Sequence, residues 1–244
     1  MSFQHFMKAI ARIALHKIGF DIHPLNTESN PTFQLLKAIA QFNVDLVLDI
    51  GANVGQFSSE LRFYGYKGNI LSFEPLSKAH KDLLHASEKD PLWDVYPRCA
   101  LGNYNDETEI NISGNSESSS LLPMLDSHLS AAPHTAYVGR ESVRLVTLDS
   151  VVSGYISKFK HPFLKIDAQG FEWQVLDGAK NVLPYMCGVL IELSLIPLYK
   201  GDHLWKEMIN RLESEGFTLW SLQQVFVESL NGRTLQIDGI FFRL

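Results

Sequence analysis

The chain has 244 residues, with 21 Lys and Arg against 27 Asp and Glu and a formal net charge of -6. That balance argues against a nucleic acid as main partner, because such binders concentrate Lys and Arg to displace counterions, and the length suits one large α/β domain. Cys99 and Cys187 fall in apolar strand-like segments and form neither a disulfide framework nor a metal cluster, which fits a reducing cytoplasm.

No run approaches the length of a membrane span, and the N-terminus lacks a continuous signal core with a cleavage site, so a cytoplasmic mature chain starting here is expected. Phe3, Phe6, Met7, Ile10, Ile13, Ala14 and Ile18 recur on one helical face, with Lys8, Arg12, His16 and Lys17 elsewhere. This basic amphipathic helix is expected to pack on its own domain or on a second subunit, with contact to a membrane surface as the alternative. A linker from Asn26 to Pro31 and a helix from Thr32 to Phe42 follow. Residues 1–43 thus read as a helical appendage and residues 44–244 as the main domain.

The main domain opens on a βαβ unit. Leu46 to Ile50 is a buried strand, Gly51 and Gly55 bracket a tight turn, and Phe57, Leu61 and Tyr64 recur at helical spacing. The next strand, around Asn69 to Phe73, ends in Glu74, roughly 20 residues past the glycines, where a carboxylate can accept both ribose hydroxyls of a nucleoside. A dinucleotide site uses Gly-x-Gly-x-x-Gly; here the spacing is Gly51-x-Asn53-x-Gly55, with a residue that tolerates a left-handed turn but carries a polar side chain. Asp49, just before the turn, suits a ligand with a cationic amino-acid moiety. S-adenosylmethionine fits that description.

After Pro75 the pattern predicts a helix to about Glu88, a strand from Trp93 to Ala100 and an alternating strand from Glu107 to Ile112. A serine-rich loop, residues 114–120, and a stretch without period from Leu121 to Arg140 suggest a lid or substrate loop. Strand Val143–Leu148, helix Asp149–Lys158, strand Pro162–Asp167, helix Phe171–Val182 and strand Gly188–Leu193 complete a doubly wound parallel sheet. A helix from Asp202 to Glu215 precedes two strands, Phe217–Val227 and Thr234–Arg243, joined at Asn231-Gly232 and expected to be antiparallel.

Ligands in such sheets bind beyond the carboxyl ends of the strands. Those ends carry Asp49, Glu74, then Lys165-Ile-Asp167, then Glu192, so Asp167 and Glu192 are expected neighbours where a second substrate meets the cofactor. They can take a proton from a hydroxyl, hold sugar hydroxyls or bind a divalent metal such as Mg2+. Asp167 also suits the N-cap of the next helix, and Lys165 can pair with either acid.

The ordered segments Asp49-Ile-Gly-Ala-Asn-Val-Gly-Gln-Phe57, Phe73-Glu-Pro75, Ala100-Leu-Gly102, Ser118-Ser-Ser-Leu-Leu122, Val146-Thr-Leu-Asp149, Leu164 to Glu172 and Gln236 to Arg243 resemble the FkbM family of S-adenosylmethionine-dependent methyltransferases. The resemblance runs from about residue 32 to the C-terminus and implies a seven-stranded class I methyltransferase sheet, Rossmann-like and mostly parallel, and methyl transfer to an oxygen, often of a sugar or polyketide. It places Asp49, Gly51, Asn53 and Gly55, with Phe57, at the methionine end of the cofactor, Glu74 and Pro75 at the ribose, and Ala100 and Leu101 at the adenine. One position departs: an acid-Gly pair usual in the family reads Gln169-Gly170 here.

For the chemistry, Asp167 is expected to act as base or acceptor-orienting group with Glu192 beside it and Lys165 in support, a Mg2+ held by both acids being the alternative. Ser119, His134, Tyr199 and His203 are expected on the acceptor side, Tyr199 as a ring on which a sugar can stack; His128 is a further candidate base. The partner is then a small-molecule or glycan acceptor. Two rival readings are a nicotinamide-dependent dehydrogenase, disfavoured by the glycine pattern and the lack of Tyr-x-x-x-Lys, and a noncatalytic cofactor-binding module.

Overall fold

The computed structural model describes residues 12–21 and 26–244. Of the expected amphipathic N-terminal helix, Phe3, Phe6, Met7, Lys8 and Ile10 lie outside the described residues, and residues 12–16 are helical. The chain continues through α1 (Pro31–Gln41), β1 (Leu46–Ile50), α2 (Gln56–Phe63), β2 (Asn69–Phe73), α3 (Ser77–Ser87), β3 (Trp93–Val95), β4 (Ala100–Leu101), β5 (Asp106–Ser113), α4 (Asp126–Ala131), β6 (Tyr137–Val146), α5 (Leu148–Ile156), β7 (Pro162–Ile166), α6 (Glu172–Asp177), β8 (Gly188–Ser194), α7 (Trp205–Ser214), β9 (Thr218–Val227) and β10 (Thr234–Phe242).

Seven strands form one sheet in the order β3-β2-β1-β7-β8-β10-β9. Every pairing is parallel except those of β10, which runs antiparallel to both β8 and β9. Gly232, at φ 76°, closes the β9–β10 connection, as the Asn-Gly pair foretells. Strand alternation divides the core between the two faces. Leu46, Leu48 and Ile50 face one layer with Val152, Val175, Leu176 and Met208, while Val47 faces the other with Leu61, Phe163 and Phe242.

α1 begins as its sequence dictates, with the Asn30 side chain accepting from Phe33 N–H and Pro31 in the first turn. Its Leu35, Ala38 and Ile39 then pack in the same cluster as Val47 and Phe242, so this part of the expected appendage rests on the sheet.

Three expected elements differ. The single strand from Trp93 to Ala100 is two: the chain leaves the main sheet after Val95, passes Pro97, which has no N–H to give a ladder, and joins another sheet at Ala100. That three-stranded sheet, β4-β6-β5, also takes the strand expected to start at Val143 in the main sheet. β6 starts at Tyr137 and pairs antiparallel with β5; its first half is largely exposed and lacks the apolar alternation that marks a strand. Finally, the helix expected to run to Val182 stops at Asp177 with Gly178 as its C-cap, and the Asn181 and Val182 N–H groups donate to the Asp149 carboxylate.

Candidate active site

Strand order reverses at β1, with β2 on one side and β7 on the other, so the connections leave a crevice at their carboxyl ends. A cavity of about 460 Å³ fills it. The β1–α2 turn and Glu74 form one end and Asp167, Glu192 and the β10 residues Gln236 and Asp238 another, with the serine loop and residues of the α4 region as cover.

The turn needs left-handed backbone at Gly51 (φ 71°), Asn53 (φ 46°) and Gly55 (φ 89°). Gly51 is also packed against β7's end: an added Cβ would sit 1.8 Å from the Asp167 carbonyl oxygen. Glu74, 4% exposed, fastens the turn to β2. Its Oε2 accepts from Asn53 N–H at 2.8 Å and its Oε1 from Leu76 N–H at 2.8 Å. Burial pushes the Glu74 carboxyl up to about 7, these two bonds and Lys165 offsetting only part of the effect. Each oxygen keeps a lone pair for a ligand hydroxyl.

Asp49 lies elsewhere than expected. It is fully buried beneath the turn and off the cavity wall. Ser58 and Ser72 hydroxyls donate to its Oδ2 at 2.8 and 3.4 Å, and Lys165 Nζ lies 3.1 Å from its Oδ1. The carboxylate therefore joins β1, β2 and α2 instead of facing a ligand. Gly55 too is off the wall, at the N-terminus of α2 against Trp93 and Leu83.

Lys165 Nζ also donates to Gly51 O at 3.0 Å and Ile50 O at 3.3 Å and stands 3.7 Å from Asp167 Oδ2. Burial alone would lower this amine, but Asp49 and Asp167 outweigh it and hold it above the ordinary lysine range. The sequence pairs Lys165 with Asp167 or Glu192; its nearest carboxylate is Asp49.

Asp167 and Glu192 do come together. Gln169 Nε2 donates to Asp167 Oδ1 at 2.7 Å and to Glu192 Oε2 at 2.9 Å, and Gln236 Nε2 donates to the same Glu192 oxygen at 2.7 Å. Burial, with Asp167, Glu172 and Asp238 close by, holds Glu192 well above the carboxylate range. Burial likewise pushes Glu172 and Asp238 up to about 7. Asp167 is the accessible member of the pair, its side chain 37% exposed. It does not cap α6: Glu172 Oε1 takes Ala168 N–H at 2.9 Å and Gly170 N–H at 3.1 Å.

Phe57, Pro75, Ala100, Leu101, Ser119 and His134 all lie on the wall. Tyr199 and His203 do not. Tyr199 is fully buried, with no face free for a sugar, and His203 stacks on Trp173 at 4.0 Å and meets Glu207 at 2.8 Å. Sequence reasoning missed Gln236 and Asp238, whose alternation along β10 turns both toward the cavity, and weighed Gln169 only as a departure. His128, 2% exposed, lines the cavity, and its Nδ1 has no hydrogen-bond partner; burial pushes it down to about 4.

The profile of the methyltransferase FkbM domain matches residues 49–219. The chain belongs to this family. The matched span carries the turn, Glu74, Asp167 and Glu192, and the seven-stranded sheet with antiparallel β10 is the Rossmann-like class I methyltransferase fold. Among solved structures the chain is similar to an FkbM methyltransferase from Methylobacillus flagellatus KT, with 12% identity over 81% of this chain and 44% of that one and a TM-score of 0.47. It is also similar to TehB from Haemophilus influenzae, with 12% identity over 86% and 61% of the two chains and a TM-score of 0.45. No curated protein sequence matches it. Among the described residues of this FkbM protein, no helix is long and apolar enough to cross a membrane.

Proposed function

We propose that this FkbM protein binds S-adenosylmethionine in the cavity and transfers its methyl group to a hydroxyl of a sugar, glycan or polyketide-type acceptor. The observation that carries the reading is the buried Glu74 carboxyl at the end of β2, bonded to the Asn53 N–H of the glycine turn. A ribose diol lying across that strand end meets both Glu74 oxygens. Phe73, Ala100, Leu101 and Phe171 supply the apolar wall that an adenine ring needs, and the backbone of Gly51 and Ala52 faces the methionine end. With Asp49 consumed by Lys165 and two serines, the groups proposed to meet the ammonium are backbone carbonyls of the turn and the cavity-lining Glu117 carboxylate, which accepts from Gln56 Nε2 at 3.0 Å.

When bound, S-adenosylmethionine supplies a methyl group open to in-line displacement by an oxygen. A neutral hydroxyl is a poor nucleophile, so the protein must aim it and remove its proton as attack proceeds. Asp167 is proposed as the acceptor of that proton. Its side chain is 37% exposed, Gln169 Nε2 donates to its Oδ1, and Lys165 Nζ stands 3.7 Å from its Oδ2. Glu192, buried and held toward its neutral form, is proposed to orient the acceptor by hydrogen bonding. Ser119 and His134 line the same cavity and are proposed to meet the acceptor's remaining hydroxyls.

Calorimetry with S-adenosylmethionine and, separately, NADH tests the cofactor. Release of S-adenosylhomocysteine over a panel of glycosides and hydroxylated polyketides tests the transfer. NADH binding without S-adenosylmethionine binding would overturn the first, and binding with no turnover on any hydroxyl acceptor the second.

A further inference from the structure

Asp167 and Glu192 end adjacent parallel strands, the arrangement in which a divalent cation can bridge two carboxylates. The residues between them do not suit one. The space is taken by Gln169 Nε2, 2.7 Å from Asp167 Oδ1 and 2.9 Å from Glu192 Oε2. Mg2+ binds oxygens at about 2.0–2.1 Å and needs their lone pairs; here an NH2 group points a hydrogen at each of them.

The amide cannot be turned over to expose its oxygen. Gln169 Oε1 accepts from Tyr199 Oη at 2.7 Å, and the same hydroxyl lies 3.2 Å from Ser118 O. Reversal would set a carbonyl oxygen against two carboxyls and leave the buried phenol only its longer bond to Ser118 O. The backbone of Gln169 is held as well, at φ 51°, with Ser120 Oγ donating to its carbonyl at 2.6 Å. On the far side, Gln236 Nε2 occupies Glu192 Oε2 at 2.7 Å. Among the described residues, no group of three or more His, Cys, Asp or Glu side chains is arranged to hold a metal ion.

We propose that Gln169 stands where a divalent cation would bridge Asp167 and Glu192, making the site metal-independent and Gln169 the positioning residue that sets the two carboxyls. This rests on the reading of the cavity as a methyl-transfer site and selects direct proton transfer to Asp167 as its chemistry. An amide supplies the cation's structural service, tying two acids together, without adding an oxygen ligand of its own to the gap. A carboxylate at position 169 would do the reverse. It would put three carboxylates around one point, the hard-oxygen donor set that Mg2+ and Mn2+ prefer.

The test is a Mn2+ titration, with bound ion read by electron paramagnetic resonance, on the wild type, Gln169→Glu and Gln169→Ala. S-adenosylmethionine affinity is measured on the same samples by calorimetry. The wild type is expected to show no site tighter than about 1 mM, the weak end of protein cation sites. Gln169→Glu is expected to bind Mn2+ at least about tenfold tighter than the wild type, and adding Glu192→Gln to it should abolish the gain. Gln169→Ala, which opens the gap without adding charge, should gain in the same direction by a smaller factor. A wild-type Mn2+ site that Asp167→Asn removes would overturn the proposal, and so would folded Gln169→Glu and Gln169→Ala proteins with no gain. If Gln169→Glu does not fold, the wild type and Gln169→Ala decide by the same criteria. Wild-type protein that fails to bind S-adenosylmethionine would remove the methyl-transfer reading, while the Mn2+ measurement would still judge the amide bridge.

Discussion

Lys165 Nζ lies 3.1 Å from Asp49 Oδ1, and the two residues are register partners on the adjacent parallel strands β1 and β7. Register partners project from the same face of a sheet, so the ion pair follows from the strand pairing. It sits directly under the glycine turn, and Lys165 Nζ donates to the carbonyls of Ile50 and Gly51. The pair therefore shapes the turn from beneath. Lys165→Met is expected to destabilise the protein by about 3–5 kcal/mol, because it leaves the Asp49 charge buried and uncompensated. Adding Asp49→Leu should recover a large part of that loss, which urea denaturation of the single and double variants checks. Equal or greater loss in the double variant would contradict the pairing.

Glu74→Ala should weaken S-adenosylmethionine binding by about 1.5–3 kcal/mol, the range for losing a charge-assisted hydrogen-bonding group. Glu74 also holds Asn53 N–H and Leu76 N–H, so Glu74→Gln is the sharper comparison, since its one carbonyl oxygen keeps one of those bonds. Calorimetry on both, with circular dichroism as control for folding, measures the effect. Unchanged affinity in a folded Glu74→Ala variant would take Glu74 out of the ribose site.

Gly51→Val should abolish cofactor binding and lower the melting temperature together. The added Cβ would lie 1.8 Å from a backbone atom of the neighbouring strand, and Gly51 has φ 71°, which a β-branched residue resists. Even Gly51→Ala should show both effects. Thermal melts with and without S-adenosylmethionine check this, and near-normal binding by either variant would show that the loop is not the cofactor turn.

Much of this site was legible because strand ends announce themselves. Asp49, Glu74, Asp167 and Glu192 each follow or end an apolar run, and the topology rule then brings those ends to one edge. What the runs do not encode is which way a charged group inside a fully buried strand is satisfied. Asp49 reads as a ligand because it precedes a glycine turn, and only the register with Lys165 shows that its charge is already used. Tyr199 reads as an exposed ring because its surroundings are loop-like, whereas its hydroxyl is bonded to Gln169 from inside the core. The second sheet was hidden for a related reason: the first half of β6 is exposed on its sides and carries no period.

Stability should fall as pH rises from about 6 to 8. Burial raises Glu74 and Glu172 from 4.5, and Asp238 from 3.8, to about 7, and raises Glu192 in the same direction. Between those ordinary values and about 7 the folded state binds more protons than the unfolded one, so stability declines with rising pH. His128 acts oppositely, since burial lowers it from 6.5 to about 4 and stability from it is lost as pH falls through that interval. One imidazole is set against several carboxyls, and its window closes below the upper end of theirs. The expected result is a higher melting temperature at pH 6 than at pH 8, at about 2–4 °C for each kcal/mol in a domain of this size. A melting temperature that is flat or rising between pH 6 and 8 would contradict it.

Asp167→Asn separates proton transfer from architecture. The N–H groups ahead of α6 are already taken by Glu172, so removing the Asp167 charge leaves that helix start intact. Asparagine keeps an oxygen that can accept from Gln169 Nε2, so the amide bridge to Glu192 can persist, while Lys165 remains paired with Asp49. Folding and S-adenosylmethionine affinity should therefore change little. An amide cannot take the hydroxyl proton, so turnover on a competent acceptor should fall about a hundredfold or more, the usual scale for losing a general base. Formation of S-adenosylhomocysteine measures the rate, and raising the pH should recover little of it. Adding EDTA to the wild type should leave activity unchanged if the acceptor proton goes directly to Asp167. Wild-type turnover by Asp167→Asn would move the base elsewhere on the cavity wall, to Glu192, His134 or His128.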